Sequence, residues 1–268
     1  MNNNEQLMLD CLKRGRDNFG VVAVKAEFEA EGTRPDEFLR LLELAQRADL
    51  KVALKIGGCE AVSDLLSTLI YGIDYVIAPM VETPYALSKF IDAKSKTHDA
   101  DQTRTQFLFN LETQTTLENL DEMLPMAKGG VDGIVFGRVD FTLSRGMART
   151  AINDPSITDA VLTVARRCVE ADLELVVGGS VSVEAIEPLR QFRAIRLDRF
   201  ETRKVIFDGS AVERNAIEDG IANAVNFELL WLKNKRDYYQ RIASEDAARI
   251  TMMENRVAVG QKQAASAA

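Results

Sequence analysis

Two acids stand out by where they lie. Glu112 follows the apolar run 106–111, and Asp140 comes just past Gly137, which ends the run holding Val131, Ile134, Val135 and Phe136. Short apolar runs bounded by glycine read as strands buried on both faces. In an α/β sheet or barrel the carboxyl ends of such strands converge on the face that carries the chemistry. Two hard oxygen ligands from successive strands suit Mg²⁺ or Mn²⁺, so Glu112 and Asp140 are candidate metal ligands. Other strand ends add charge. VVAVKAEFEAEG places Lys25, Glu27 and Glu29 at or beyond one of them, and KVALKIGG places Lys55 at the next. Gly57 and Gly58 then sit at a strand-to-helix junction, where free N–H groups favour a carboxylate or phosphate, although a tight turn needs glycines equally.

Eight strand candidates position these residues: within 21–32, 51–58, 74–84, 106–111, 131–137, 173–179, 192–200 and 203–208. Helical periodicity follows five of them, as in Val62, Leu65, Leu66 and Leu69, or Ile157, Ala160, Val161, Val164 and Cys168. Whether 203–208 or a short N-terminal strand closes the sheet stays open at this stage. Residues 2–18 read as a helix, 94–105 as an exposed connection with His98 lacking a partner, and 141–153 as a loop at the active face. The expected architecture is α/β: a modified (β/α)8 TIM barrel over residues 1–208, a C-terminal helical extension over 209–258, and a disordered tail over 259–268. Ile217, Ile221, Val225, Leu229, Leu230 and Trp231 make a long apolar stripe on that extension, so it is expected to pack against a second copy in a homo-oligomer.

Composition narrows the function. With 41 acidic against 33 basic side chains the net charge is −8, which disfavours nucleic acid as a partner. No apolar stretch approaches membrane-spanning length and no leader pattern opens the chain, so a cytoplasmic protein without a membrane partner is expected. Cys11, Cys59 and Cys168 lie too far apart in sequence to suggest a disulfide framework or a zinc site.

Taken together, LET at 111–113, APMVET at 78–83 and GVDGIVFGRVDFTLSRG at 130–146 resemble the HpcH/HpaI aldolase and citrate lyase family, over roughly residues 20–200 and in matching order. The resemblance implies a barrel of the phosphoenolpyruvate- and pyruvate-binding superfamily that cleaves or forms C–C bonds next to a 2-oxo acid with a divalent metal. It implies Glu112 and Asp140 as the metal ligands, and the backbone N–H groups of Val139 and Asp140 as the cradle of the substrate carboxylate.

The departures matter as much. Lys55 stands where many members carry arginine, exchanging a bidentate fork for a point charge. KAEFE stands where the aldolases use an Asp–His base, with Lys25 in place of the aspartate and Phe28 of the histidine. The replacement is sought among Lys25, Glu27, Glu29 and Lys55. Lys25 and Glu27 are as readily an ordinary strand-end ion pair, whereas Glu29 and Glu31 read as solvated. Arg138 and Arg145 are candidates for gripping the far end of the substrate, or are simply solvated; Glu82 belongs to the resemblance or merely supports the sheet end. The expected activity is a lyase or aldolase acting on a small-molecule 2-oxo acid, with Lys55 as electrophilic anchor. A citrate-lyase-like thioester lyase and a barrel retained only for binding are the alternatives.

Overall fold

The computed structural model describes residues 1–98 and 104–267, with side chains described as far as residue 260. Eight strands close a barrel in chain order: β1 (Val21–Glu27), β2 (Lys51–Lys55), β3 (Tyr75–Ala78), β4 (Gln106–Leu111), β5 (Gly133–Gly137), β6 (Glu174–Gly178), β7 (Arg199–Glu201) and β8 (Val205–Asp208). The first seven run parallel, whereas β8 is antiparallel to both β7 and β1. Residues 203–208 therefore close the barrel. The segment 192–200 is only partly strand, because its first residues end the helix Ile186–Arg193.

Local chemistry explains the alternation of strand and helix. Thr83 and Thr113 cap α4 (Pro84–Thr97) and α5 (Gln114–Ala127), each hydroxyl accepting from the N–H three residues on, and proline opens α4 where its missing N–H costs nothing. At the opposite end of the barrel one device recurs three times. Asp74, Asp132 and Asp198, each just before a strand, accept from the N–H of Val52, Phe107 and Leu175 near the start of the preceding strand, at 2.7–2.8 Å.

Side chains alternate across each strand, so inward residues stack in layers. Gln106, Glu174 and Arg199 bond to one another at the strand starts. Ala23, Ala53, Ile77, Leu108, Val135, Val176 and Ile206 fill the middle. The cavity among these side chains measures only about 10 Å³, so the barrel interior here is a packed core. Above it come Lys25, Lys55, Asn110 and Glu201, all buried.

The last helix, α9 (Ile217–Ala267), climbs antiparallel to α1 (Asn3–Arg14). Ile217, Ile221, Leu230 and Trp231 of the expected stripe are buried within the chain, whereas Val225 and Leu229 remain exposed. Where α9 leaves the barrel, Lys235 and Tyr239 bond to Glu37, and residues 243–260 are exposed all round. The helix also runs through 259–267, expected to be disordered; this stretch holds three alanines, two glutamines and a lysine, good helix formers. Ala268 and residues 99–103 lie outside the described residues. Among those described, no helix is long and apolar enough to cross a membrane.

His98 corrects another expectation. It is buried: its ring nitrogens lie 3.0 Å from the Thr68 and Thr97 hydroxyls, and its ring packs edge-on to Phe107. Burial, aided by Lys94, pushes its pKa down. The unfolded chain then binds the proton more readily, so this stability is present above the unfolded value and is lost as pH falls through the folded one. Acidification from about pH 7 to about pH 5 should lower the urea midpoint of the wild type more steeply than that of His98→Gln; parallel curves would show that the ring is not held neutral.

Candidate active site

The mouth is assembled from residues at the tops of strands, each raised by the period-two alternation and locked by its neighbours. Lys55 ends β2. Its ammonium lies 3.2 Å from Glu112 Oε2 and 3.1 Å from Glu29 Oε2. Glu112, 2% exposed, also accepts from Asn110 Nδ2 at 2.6 Å and from the backbone N–H of Met80 at 3.1 Å. That last donor is aimed by a left-handed backbone at Met80, φ +50°, a conformation costing a bulky residue about 1–3 kcal/mol. Gly137 leaves room for the acid, since a Cβ there would lie 2.9 Å from the Cβ of Glu112.

A second cluster stands beside the first. Lys25 of β1 is held by Glu201 and by Glu27, the latter at 3.1 Å. Burial opposes the charge on each lysine, but the carboxylates around them prevail and both pKa values rise. Glu27 is affected in the opposite sense: burial opposes its charge, yet Lys25 and Lys55 hold its carboxyl below the usual range.

Asp140 lies in the first turn of α6 (Arg138–Ser144), a helix where a loop was expected. Its side chain has no hydrogen-bond or ion-pair partner among the described residues. Burial and repulsion from Glu112 raise its pKa, despite Lys55 nearby. Two carboxylates that repel with one unpartnered are a donor set that Mg²⁺ or Mn²⁺ fits, because such ions keep waters and substrate oxygens as further ligands. No group of three or more His, Cys, Asp or Glu side chains that could hold a metal occurs among the described residues. The N-terminus of α6 has no side-chain cap. Gly179, φ +89°, keeps the space before it clear: a Cβ there would lie 2.7 Å from Val139 N.

Other candidates are placed differently. Arg138 is 1% exposed and donates to the Gly178 and Gly179 carbonyls and to Asn153 Oδ1, so it clasps the β6 end instead of facing substrate. Burial lowers its pKa to about 10. The N–H of Gly57 donates to Asp64 Oδ2 at 2.7 Å; the protein's own carboxylate takes the expected anion position there, and Gly58 merely completes the turn. Arg145 stays exposed, near Ser156, and Glu82 accepts from the Thr113 hydroxyl. Glu29 and Glu31 are not solvated: Glu29 meets Lys55, and Glu31 pairs with Arg203 and Lys204. Asn110, Glu201 and the Met80 N–H went unnoticed in sequence, although Asn110 is signalled by a lone polar residue two positions before Glu112 in an apolar strand.

Comparison with known proteins agrees with this architecture. No curated protein matches the chain. The structure of an HpcH/HpaI aldolase from Desulfitobacterium hafniense DCB-2 superposes with a TM-score of 0.58 at 14% identity, covering 79% of this chain and 84% of that one. An HpcH/HpaI aldolase/citrate lyase family protein from Burkholderia cenocepacia J2315 gives 0.57 at 13% identity, covering 87% and 99%. At such identities the likeness speaks for the fold. The sequence profile of HpcH/HpaI aldolase/citrate lyase matches residues 36–186, more than half of the 268 residues, and the chain therefore belongs to that family.

Proposed function

We propose that this protein is a divalent-metal-dependent carbon–carbon lyase that cleaves or forms a bond next to the keto group of a pyruvate-like 2-oxo acid. The observation that carries the reading is the Lys55 ammonium fixed against Glu112, with the unpartnered Asp140 carboxylate and the uncapped start of α6 beside them. Glu112 and Asp140 would hold Mg²⁺ or Mn²⁺, which supplies Lewis acidity to the 2-oxo carboxylate unit. The N–H groups of Val139 and Asp140 donate to the substrate carboxylate, as helix N-termini do for anions. An ammonium has three N–H donors; Lys55 donates to Glu112, its contact with Glu29 is an ion pair without hydrogen-bond geometry, and a remaining N–H donates to the keto oxygen, where negative charge grows as the bond breaks. Its raised pKa supports a protonated donor over an amine nucleophile.

Homo-oligomerisation through α9 belongs to the same proposal. Beyond the barrel, Ile250, Met253 and Val257 follow one another at spacings of three and four on an exposed face, which a second copy would cover.

Three outcomes test these assignments. By calorimetry Asp140→Asn should lose Mg²⁺ and Mn²⁺ binding with stability changed by no more than about 0.5 kcal/mol, since its side chain has no partner to lose; unaltered affinity rules out the ligand pair. Lys55→Met should lose about 10²–10³ in turnover on a 2-oxo acid substrate while Lys55→Arg keeps measurable activity, and borohydride trapping of substrate on Lys55 would overturn the electrostatic role. Full-length protein should sediment as an oligomer and a chain ending at residue 241 as a smaller species; a monomeric full-length chain would sink the assembly proposal.

A further inference from the structure

A carboxylate that holds a metal must itself be held, and losing the partners around such a ligand typically costs about 10–100-fold in affinity. Glu112 has its partners: Lys55, Asn110 Nδ2 and the Met80 N–H all donate to it. Asp140 has none among the described residues, so its backbone alone sets where its carboxylate stands. That backbone belongs to α6, which is seven residues long, starts without a side-chain cap and follows β5 with no loop between them. So short a helix does not keep its place unaided.

Two side chains fasten it. Phe141 is fully buried, with its ring 4.9 Å from that of Phe136. Arg138, the first residue of the helix, is the second. Its Nε donates to the Gly178 carbonyl at 3.2 Å, its Nη2 to the Gly179 carbonyl at 2.9 Å and its Nη1 to Asn153 Oδ1 at 2.9 Å. One planar fork thus joins α6 to the end of β6 and to the turn Arg149–Asn153. The segments meet closely, since a Cβ on Gly179 would lie 2.9 Å from Arg138 N. All three acceptors are neutral oxygens, and Arg138 has no carboxylate partner among the described residues. A buried cation without a counter-charge is a costly way to fill space, and an apolar side chain would fill it at less cost. What an apolar side chain lacks is the means to tie three separate segments together. Residues two apart on a helix point about 200° away from each other, so Arg138 grips β6 on one side while Asp140 projects from the other, within the field of Glu112 and Lys55.

We propose that Arg138 is a positioning residue for the metal site: its clasp on the β6 end fixes the first turn of α6 and so holds Asp140 where it and Glu112 can share one divalent ion. The inference rests on the ligand pair assigned above. Arg138 touches neither the ion nor the substrate and acts through the backbone of α6.

Charge and position predict opposite results when this side chain is removed. By charge alone, taking a cation away from a metal site strengthens Mg²⁺ and Mn²⁺ binding. An arginine that only stabilised the fold would lower the unfolding midpoint and leave the affinity of the folded protein unchanged. Loss of positioning weakens binding instead. By calorimetry Arg138→Met should bind Mn²⁺ about 10–100-fold more weakly than wild type. Arg138→Lys keeps the charge but offers a point donor where a fork is needed, and should lose about tenfold; it also decides the question if the methionine variant does not fold. Unchanged or tighter Mn²⁺ binding in either folded variant overturns the positioning role and leaves the ligand pair standing. A wild-type protein that binds neither Mg²⁺ nor Mn²⁺ overturns the pair and the role of Arg138 together.

Discussion

The ion pair between Lys55 and Glu112 is the constraint around which the rest of the mouth is arranged. Both groups are buried, and a charge withdrawn from water is tolerable only when paired and hydrogen-bonded. They come from the ends of β2 and β4, which are not neighbours; the chain just past β3, the strand between them, contributes the Met80 N–H that satisfies the acid from a third side. Closing the barrel and neutralising the charges are thus one problem. The strained backbone at Met80 and the missing side chain at Gly137 belong to its solution, since one brings a donor to Glu112 and the other leaves room for it.

Charge alternates across the barrel top, from Glu201 to Lys25 to Glu27 on one side and from Glu29 to Lys55 to Glu112 on the other. Two ammonium groups among these carboxylates and Asp140 leave the mouth with an excess of negative charge. Such a surface repels an anionic substrate until a cation, or the N–H groups of α6, offsets it. That is the electrostatic case for a divalent ion, and it agrees with the upward shift at Asp140. The same network keeps each lysine charged despite burial.

Lys25 engages two carboxylates, Glu27 of its own strand and Glu201 of β7. These pairs make a structural tie across the β1–β8–β7 arc. Glu29 lies beyond the end of β1 at Glu27, where the chain is no longer bound to the period-two alternation, and its carboxylate meets Lys55. Its side chain can turn to Lys55 without being packed on all sides.

Much of the fold was legible in sequence because burial on both faces writes itself as uninterrupted apolar runs, and helix starts write themselves as Thr-Pro or Asp-Pro. Most strand segments were visible in this way, whereas the short β7 was read as the longer 192–200; Glu112, Asp140 and Lys55 were visible too, as polar residues placed where apolar runs stop. Direction and partnership were not. That 205–208 runs antiparallel, that Glu201 crosses the barrel to Lys25, and that Arg138 turns inward to two carbonyls depend on which strands become neighbours, and linear spacing carries no record of that. His98 looked solvated for the same reason: its local neighbours are polar, whereas the groups that bury it, Thr68 and Phe107, come from other elements. Local pattern determined the elements and which residues reach the mouth; only the closed barrel decided which charges meet there, because pairing energy depends on distance in space and not on distance along the chain.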